Sequence, residues 1–178
     1  MYKLKLLIDT NVLLDWILSR NSQCVDTVKI IGLCMQGDKI YGYLTANTLL
    51  EVYSVVSVDK RFNVTKTQEL MKLLYDRFEI LQLDRKLILK SIISLPHINL
   101  EKALHAYAAD YEKIDFMVTR DVDDFNEYMG LISKANKSNV KVLNPKTFLG
   151  MIERIGRRID INDDWGLVYG NTDASISN

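Results

Sequence analysis

Cysteine is scarce, net charge is nil and no apolar run is long, and each of these excludes something. The 178-residue chain has two cysteines, Cys24 and Cys34, too few for a disulfide framework or a cysteine-rich metal cluster. They read as buried free thiols in a reducing compartment. Lysine and arginine number 23 together and aspartate and glutamate 23, so the formal net charge is zero. A chain that holds nucleic acid by bulk charge is ordinarily basic, so any such binding here needs a local patch or bridging metal ions. No stretch approaches the roughly 18 apolar residues of a membrane span. The apolar run near the start is broken at Asp9, short of the roughly seven residues of a secretory signal core. A cytoplasmic location without membrane association is the expectation.

Length and a hydrophobic fraction of 48% suit one domain with its own core. Residues 4–8 are short, apolar and nearly continuous, the pattern of a buried strand, and Asp9-Thr10-Asn11 bounds them. Helical patterns follow over 12–19 and 22–36, the second stopped by Gly37-Asp38. A strand is expected over 39–44, then a helix capped by Thr45 or Asn47 and carrying Leu49, Leu50, Val52 and Tyr53. The series continues with a helix over 65–77, a strand over 78–83 and a helix over 84–95 ended by Pro96. Asn99 can cap the next helix, whose apolar stripe is Leu100, Ala103, Leu104, Tyr107, Ala108 and Tyr111. Strands over 115–119 and 140–143 and a helix over 145–157 complete the set. Helices between nearly all strands predict an α/β fold with a parallel sheet covered on both faces. The expected division is a domain over 1–150, then a helix end and polar tail over 151–178.

Three acids fall where such a fold could gather them. Asp9 follows the first strand, Asp121 lies just past the fourth, and Glu51 stands on the helix after the second. Ligands of open parallel sheets collect beyond the carboxyl ends of the strands, where strand order reverses. Gathered carboxylates repel one another, and a hard cation with oxygen ligands is the common relief. Such an ion polarises a phosphodiester and acidifies an attacking water. Taken singly, Asp9 could be a turn residue or helix cap, Glu51 a solvated helix residue, and Asp121 the start of a loop over 121–125 with Asp123 and Asp124 as surface charges. The combination carries the reading.

That combination resembles the PIN-domain proteins. Leu7-Ile8-Asp9-Thr10-Asn11-Val12-Leu13-Leu14-Asp15 looks like their opening, and Thr48-Leu-Leu-Glu51-Val-Tyr53 like their second motif. Ala103 to Phe125, with Val118-Thr119-Arg120-Asp121 and Asp124-Phe125, is similar to their last motifs. The resemblance covers about residues 4–150 and is nearest to the bacterial group that includes toxins of toxin–antitoxin pairs. It implies a three-layer α/β/α fold around five parallel strands in the order 3-2-1-4-5. It also implies a magnesium- or manganese-dependent endoribonuclease acting on single-stranded RNA, with an antitoxin and a second copy of the chain as partners. Carried over by residue, Asp9, Glu51 and Asp121 are metal ligands and catalytic acids, with Asp124 a further acid. Asn11 and Thr119 would orient ligands or water, and Arg120 would contact phosphate or anchor a loop.

One position departs from the pattern. Where the family has an acid at the start of the helix before the fourth strand, this chain reads Asn99-Leu-Glu101-Lys102-Ala103 and places Lys102. A cation there could pair with Asp9 or Asp121. Glu101 could substitute if the helix were rolled slightly, since neighbours on a helix differ by about 100°. The alternative to an enzyme is a binding module in which Lys102 stands in for the metal. Receiver domains need an acidic pair after the first strand and haloacid-dehalogenase-type phosphatases an Asp-x-Asp, whereas Asp9-Thr10-Asn11 supplies one acid. His97 and His105 have no Ser or Cys partner at a telling position and are expected on the surface or in loops.

Overall fold

The computed structural model of the protein describes residues 3–19, 24–94, 99–136 and 138–158. Strand β1 (Leu4–Ile8) leads through α1 (Thr10–Leu18) and α2 (Cys24–Gln36) to β2 (Ile40–Thr45). Then come α3 (Ala46–Val56), α4 (Val64–Arg77), β3 (Glu79–Leu81), α5 (Arg85–Ser94) and α6 (Leu100–Tyr111). Strand β4 (Phe116–Val118), α7 (Val122–Asn136), β5 (Lys141–Leu143) and α8 (Pro145–Arg158) close the order.

The strands form one sheet in the order β3-β2-β1-β4-β5, and all neighbours run parallel. Side chains of a strand alternate between its faces, and both faces are buried here. Leu6 and Ile8 of β1 join Ile40 and Leu44 of β2, Phe116 and Val118 of β4, and residues of α1, α2, α3, α4 and α8 in one core. Leu7 of β1 joins Met117 of β4, Val142 of β5 and residues of α5, α6 and α7 in the other. Three layers result, as expected. Each fully buried side chain of this size adds roughly 1.5–3 kcal/mol of transfer free energy, which explains why the central strands read as continuous apolar runs.

Several local expectations hold for reasons visible in the backbone. Gly37 takes the left-handed conformation (φ 68°) after α2, a conformation glycine adopts without a Cβ penalty. Thr45 caps α3 and Asn99 caps α6, each through its side-chain oxygen. Cys34 is a buried free thiol, pushed up to about 12 by burial; the side chain of Cys24 lies outside the described residues. Of the apolar stripe expected on α6, Ala103, Tyr107 and Ala108 are core, whereas Leu100 and Tyr111 at its two ends are exposed.

One feature differs. Residues 121–125 were readable as a loop, yet α7 begins at Val122; Phe125, Tyr128, Met129 and Ile132 are buried at helical spacing against the second face of the sheet. Helix α8 lies where a helix over 145–157 was expected, with Phe148 and Leu149 in the first core and Met151 and Ile152 packed against it. The polar tail expected from Asp160 onward lies outside the described residues. No described helix is long and apolar enough to cross a membrane.

The tightest packing is beneath β2. A Cβ at Gly42 would stand 2.6 Å from Cδ1 of Phe78 and 2.7 Å from Cβ of Cys34. Gly42→Ala should therefore destabilise the fold by about 1–3 kcal/mol, read as a lower urea midpoint at unchanged slope; an unchanged midpoint would mean the sheet and α2 are not packed as described.

Candidate functional site

Strand order reverses between β1 and β4, and the site lies beyond their carboxyl ends. Asp9 follows β1 directly and is 6% exposed. Its Oδ1 accepts the backbone N–H of Thr10 at 2.8 Å, which makes it the N-cap of α1. Its Oδ2 accepts the Thr119 hydroxyl at 2.6 Å. Having donated its proton there, Thr119 Oγ1 accepts the Asp121 N–H at 3.0 Å and Asn11 Nδ2 at 3.3 Å. Asn11 Oδ1 accepts the Arg120 N–H at 3.2 Å. Asn11 and Thr119 thus stitch the start of α1 to the turn after β4 and hold Asp9 still. Burial pushes the Asp9 carboxyl above its ordinary range; His105 and the two hydrogen bonds offset this in part, and the charge of Asp121 adds to it.

Helices α3 and α6 bring two more acids. Glu51 accepts a hydrogen bond from Asn47 Nδ2, one turn earlier on α3. Glu101 opens α6, where its N–H donates to the Asn99 cap at 2.9 Å. The carboxyl of Glu101 lies beside that of Glu51, to which it can donate when it is protonated. Glu101 is pushed up to about 7 by burial, then by the bond to and charge of Glu51 and by the charge of Asp9, against a downward pull from Lys102. The helix is therefore rolled so that Glu101, not Lys102, faces Glu51.

Lys102 points the other way. Its Nζ is 3.0 Å from Asp121 Oδ2 and is also paired with Asp124. Desolvation pulls this ammonium down, but the bonds to Asp124 and Asp121 and their charges outweigh it, and the balance is upward. Lys102 is thus a firm cation. The two aspartates are 46% and 59% exposed, so the cluster is a rim feature partly screened by water.

The remaining predicted residue, Arg120, has its Nε 3.4 Å from Oδ2 of Asp15, whose side chain is 1% exposed. Loop anchoring is the role this ion pair carries. Sequence reasoning passed over Asp15, although a charge among the apolar residues of α1 was the available signal. It also misplaced His105: expected at the surface or in a loop, the ring is 1% exposed and sits between α6 and α3. His97 lies outside the described residues.

The structure brings Asp9, Glu51 and Glu101 into mutual electrostatic reach, joins Asp9 to Asn11, Thr119 and the turn at Asp121, and draws Asp121 and Asp124 to Lys102. Among the described residues no three His, Cys, Asp or Glu side chains converge as a ready metal cage. The donor chemistry of Asp9, Glu51 and Glu101 still fits a small hard cation, since magnesium is usually bound by one or two carboxylates plus waters and phosphates.

A family model described as PIN domain matches residues 5–123. No curated protein matches the sequence. Among solved structures, the chain is similar to VapBC2 from Rickettsia felis, bound to a DNA fragment from the promoter, at 17% identity and a TM-score of 0.56, covering 79% of this chain and 98% of that one. It is likewise similar to VapBC-1 from nontypeable Haemophilus influenzae, at 14% identity and a TM-score of 0.57, covering 80% and 99%. At such identity the likeness is one of fold.

The raised Glu101 carboxyl makes a measurable prediction. Carboxyl NMR of the metal-free protein should find Glu101 titrating at about 7 rather than the ordinary 4.5, and Glu51→Gln should move it downward. Because the folded state holds this proton more tightly than the unfolded chain, its contribution to stability is full below 4.5 and is lost as pH rises through about 7. Glu101→Gln should flatten that dependence; an ordinary titration for Glu101 would show that it is not held beside Glu51 as described.

Proposed function

The chain belongs to the PIN-domain family, and from that premise we propose that it is an endoribonuclease cutting single-stranded RNA with a magnesium or manganese ion held at Asp9, Glu51 and Glu101. The observation that carries this reading is buried Asp9, fixed by Thr10 and Thr119, with the acids Glu51 and Glu101 beside it. It is a negative site whose neighbouring cation, Lys102, is engaged with Asp121 and Asp124. When bound, the ion would polarise the phosphodiester and lower the pKa of an attacking water.

The chain's own residues then have separable tasks. Asp9 is held by Thr10 and Thr119, so it presents its carboxyl without first having to be ordered. The proton that Glu101 holds beside Glu51 is the one an arriving cation displaces. Lys102 at the rim supplies positive charge towards a phosphate. With zero net charge, RNA would be held by these local groups and the ion rather than by bulk attraction. Asp121 and Asp124 hold Lys102 and become available as ligands if it leaves them.

The likeness to two VapBC structures supports a further part of the reading: a toxin restrained by a protein antitoxin. A second copy of the chain as partner belongs to the same proposal. The exposed Ile88, Leu89, Ile92 and Ile93 of α5 provide apolar surface for a protein partner.

The second reading is a PIN-type module that holds RNA or a protein without cutting it, with Lys102 as its permanent cation. The double pairing of Lys102 favours it. Manganese calorimetry on the intact chain separates the two. The nuclease reading expects binding at millimolar or lower concentration, lost in Asp9→Asn, together with cleavage of unstructured RNA that falls by more than the about 10–100-fold typical of residues merely supporting a ligand. No binding at millimolar manganese would favour the module. Lys102→Asp exchanges a cation for a carboxylate and should tighten manganese binding; unchanged or weaker binding would remove position 102 from the site.

A further inference from the structure

Helix α6 carries two candidate groups on adjacent residues, Glu101 and Lys102, and a roll of about 100° would exchange them. Something must therefore set the roll, and His105 is built to do so. Its Nδ1 is 2.9 Å from the Glu101 carbonyl. A carbonyl only accepts, so Nδ1 carries a proton, while Nε2 faces hydroxyls that can either donate to it or accept from it. Nε2 lies 3.0 Å from the Thr48 hydroxyl and 3.1 Å from the Thr45 hydroxyl, which are 3.1 Å from each other. Thr45 Oγ1 also accepts the Thr48 N–H at 3.1 Å as the cap of α3.

All three side chains are buried, so water cannot easily replace a lost partner, and a buried hydroxyl or ring nitrogen left unpaired costs about 1–3 kcal/mol. The ring is further held edge-on to Phe125 of α7, with centroids 6.4 Å apart. Thr45 and Thr48 precede Glu51 on the same strand–helix junction, and His105 follows Glu101 by one turn. The hydrogen-bonded cluster thus locks together the two helices that carry the paired acids.

We propose that His105 is a positioning residue that fixes the roll of α6 against the cap of α3. It thereby makes Glu101, rather than Lys102, the acid facing Glu51 and Asp9. The geometric part stands without any metal; the consequence for metal binding rests on the ribonuclease reading above.

The test compares His105→Phe, which keeps ring volume but loses both hydrogen bonds, with His105→Gln, whose amide can still reach the threonine hydroxyls. In metal-free protein, nuclear Overhauser contacts between the Glu51 and Glu101 side chains should persist in the wild type and in His105→Gln and vanish in His105→Phe. Manganese affinity by calorimetry should fall about tenfold or more in His105→Phe and stay within about threefold in His105→Gln. If His105→Phe does not fold, Thr48→Val removes one hydroxyl of the cluster and should shift both readouts in the same direction. Persistence of the contacts in the folded variant, with affinity within about twofold of wild type, would overturn the positioning role. If the wild type binds no manganese while the contacts respond as stated, the ribonuclease reading fails and the role of His105 stands.

Discussion

Carboxylates crowded into a half-dry pocket cannot all stay ionised unless positive charge or a proton joins them. This chain meets that constraint in three ways at once. Asp9 is surrounded by donors from Thr10 and Thr119, Glu101 beside Glu51 is pushed towards its protonated form, and Asp121 and Asp124 take the ammonium of Lys102. The arrangement at the carboxyl ends of β1 and β4 follows from those three settlements. Each leaves a different capacity: a rigid ligand, a displaceable proton and a movable cation.

The frame that holds them is hydrogen-bonded rather than merely packed. Asn11 and Thr119 join the first turn of α1 to the turn after β4, and His105 joins α6 to the cap of α3. Behind the frame, two apolar cores clamp the sheet from both sides. Packed interiors deform little, so the acids are held by elements that resist sliding. The ion pair of Arg120 with buried Asp15 serves the same end.

The lysine at position 102 is what keeps two functional readings in play. A cation beside acids can be a fixed replacement for a metal, or a rim charge that greets a phosphate while the metal sits elsewhere. The roll of α6 favours the second, because it turns Glu101 inward and leaves Lys102 on the more exposed aspartates. Membership of the PIN-domain family is common to both readings.

Much of this could be read from the chain alone. Short apolar runs alternating with amphipathic stretches specified a doubly covered parallel sheet, since strand and helix periods differ and both faces demanded apolar residues. Thr45 and Asn99 were recognisable as caps because their chemistry is local. That Asp9 and Asp121 follow strands of the sheet was readable because position relative to a strand is local too. Helix α7 was legible in principle from Phe125, Tyr128, Met129 and Ile132, but the acids at its start suggested a loop. What no local pattern could supply was the pairing of side chains far apart in sequence. Whether Glu101 or Lys102 would face Glu51, whether Lys102 would take Asp121 or Asp9, and that His105 and Asp15 would be buried were all settled by packing. The roll of a helix about its axis depends on every element it touches, and a spacing within one helix carries no information about its neighbours.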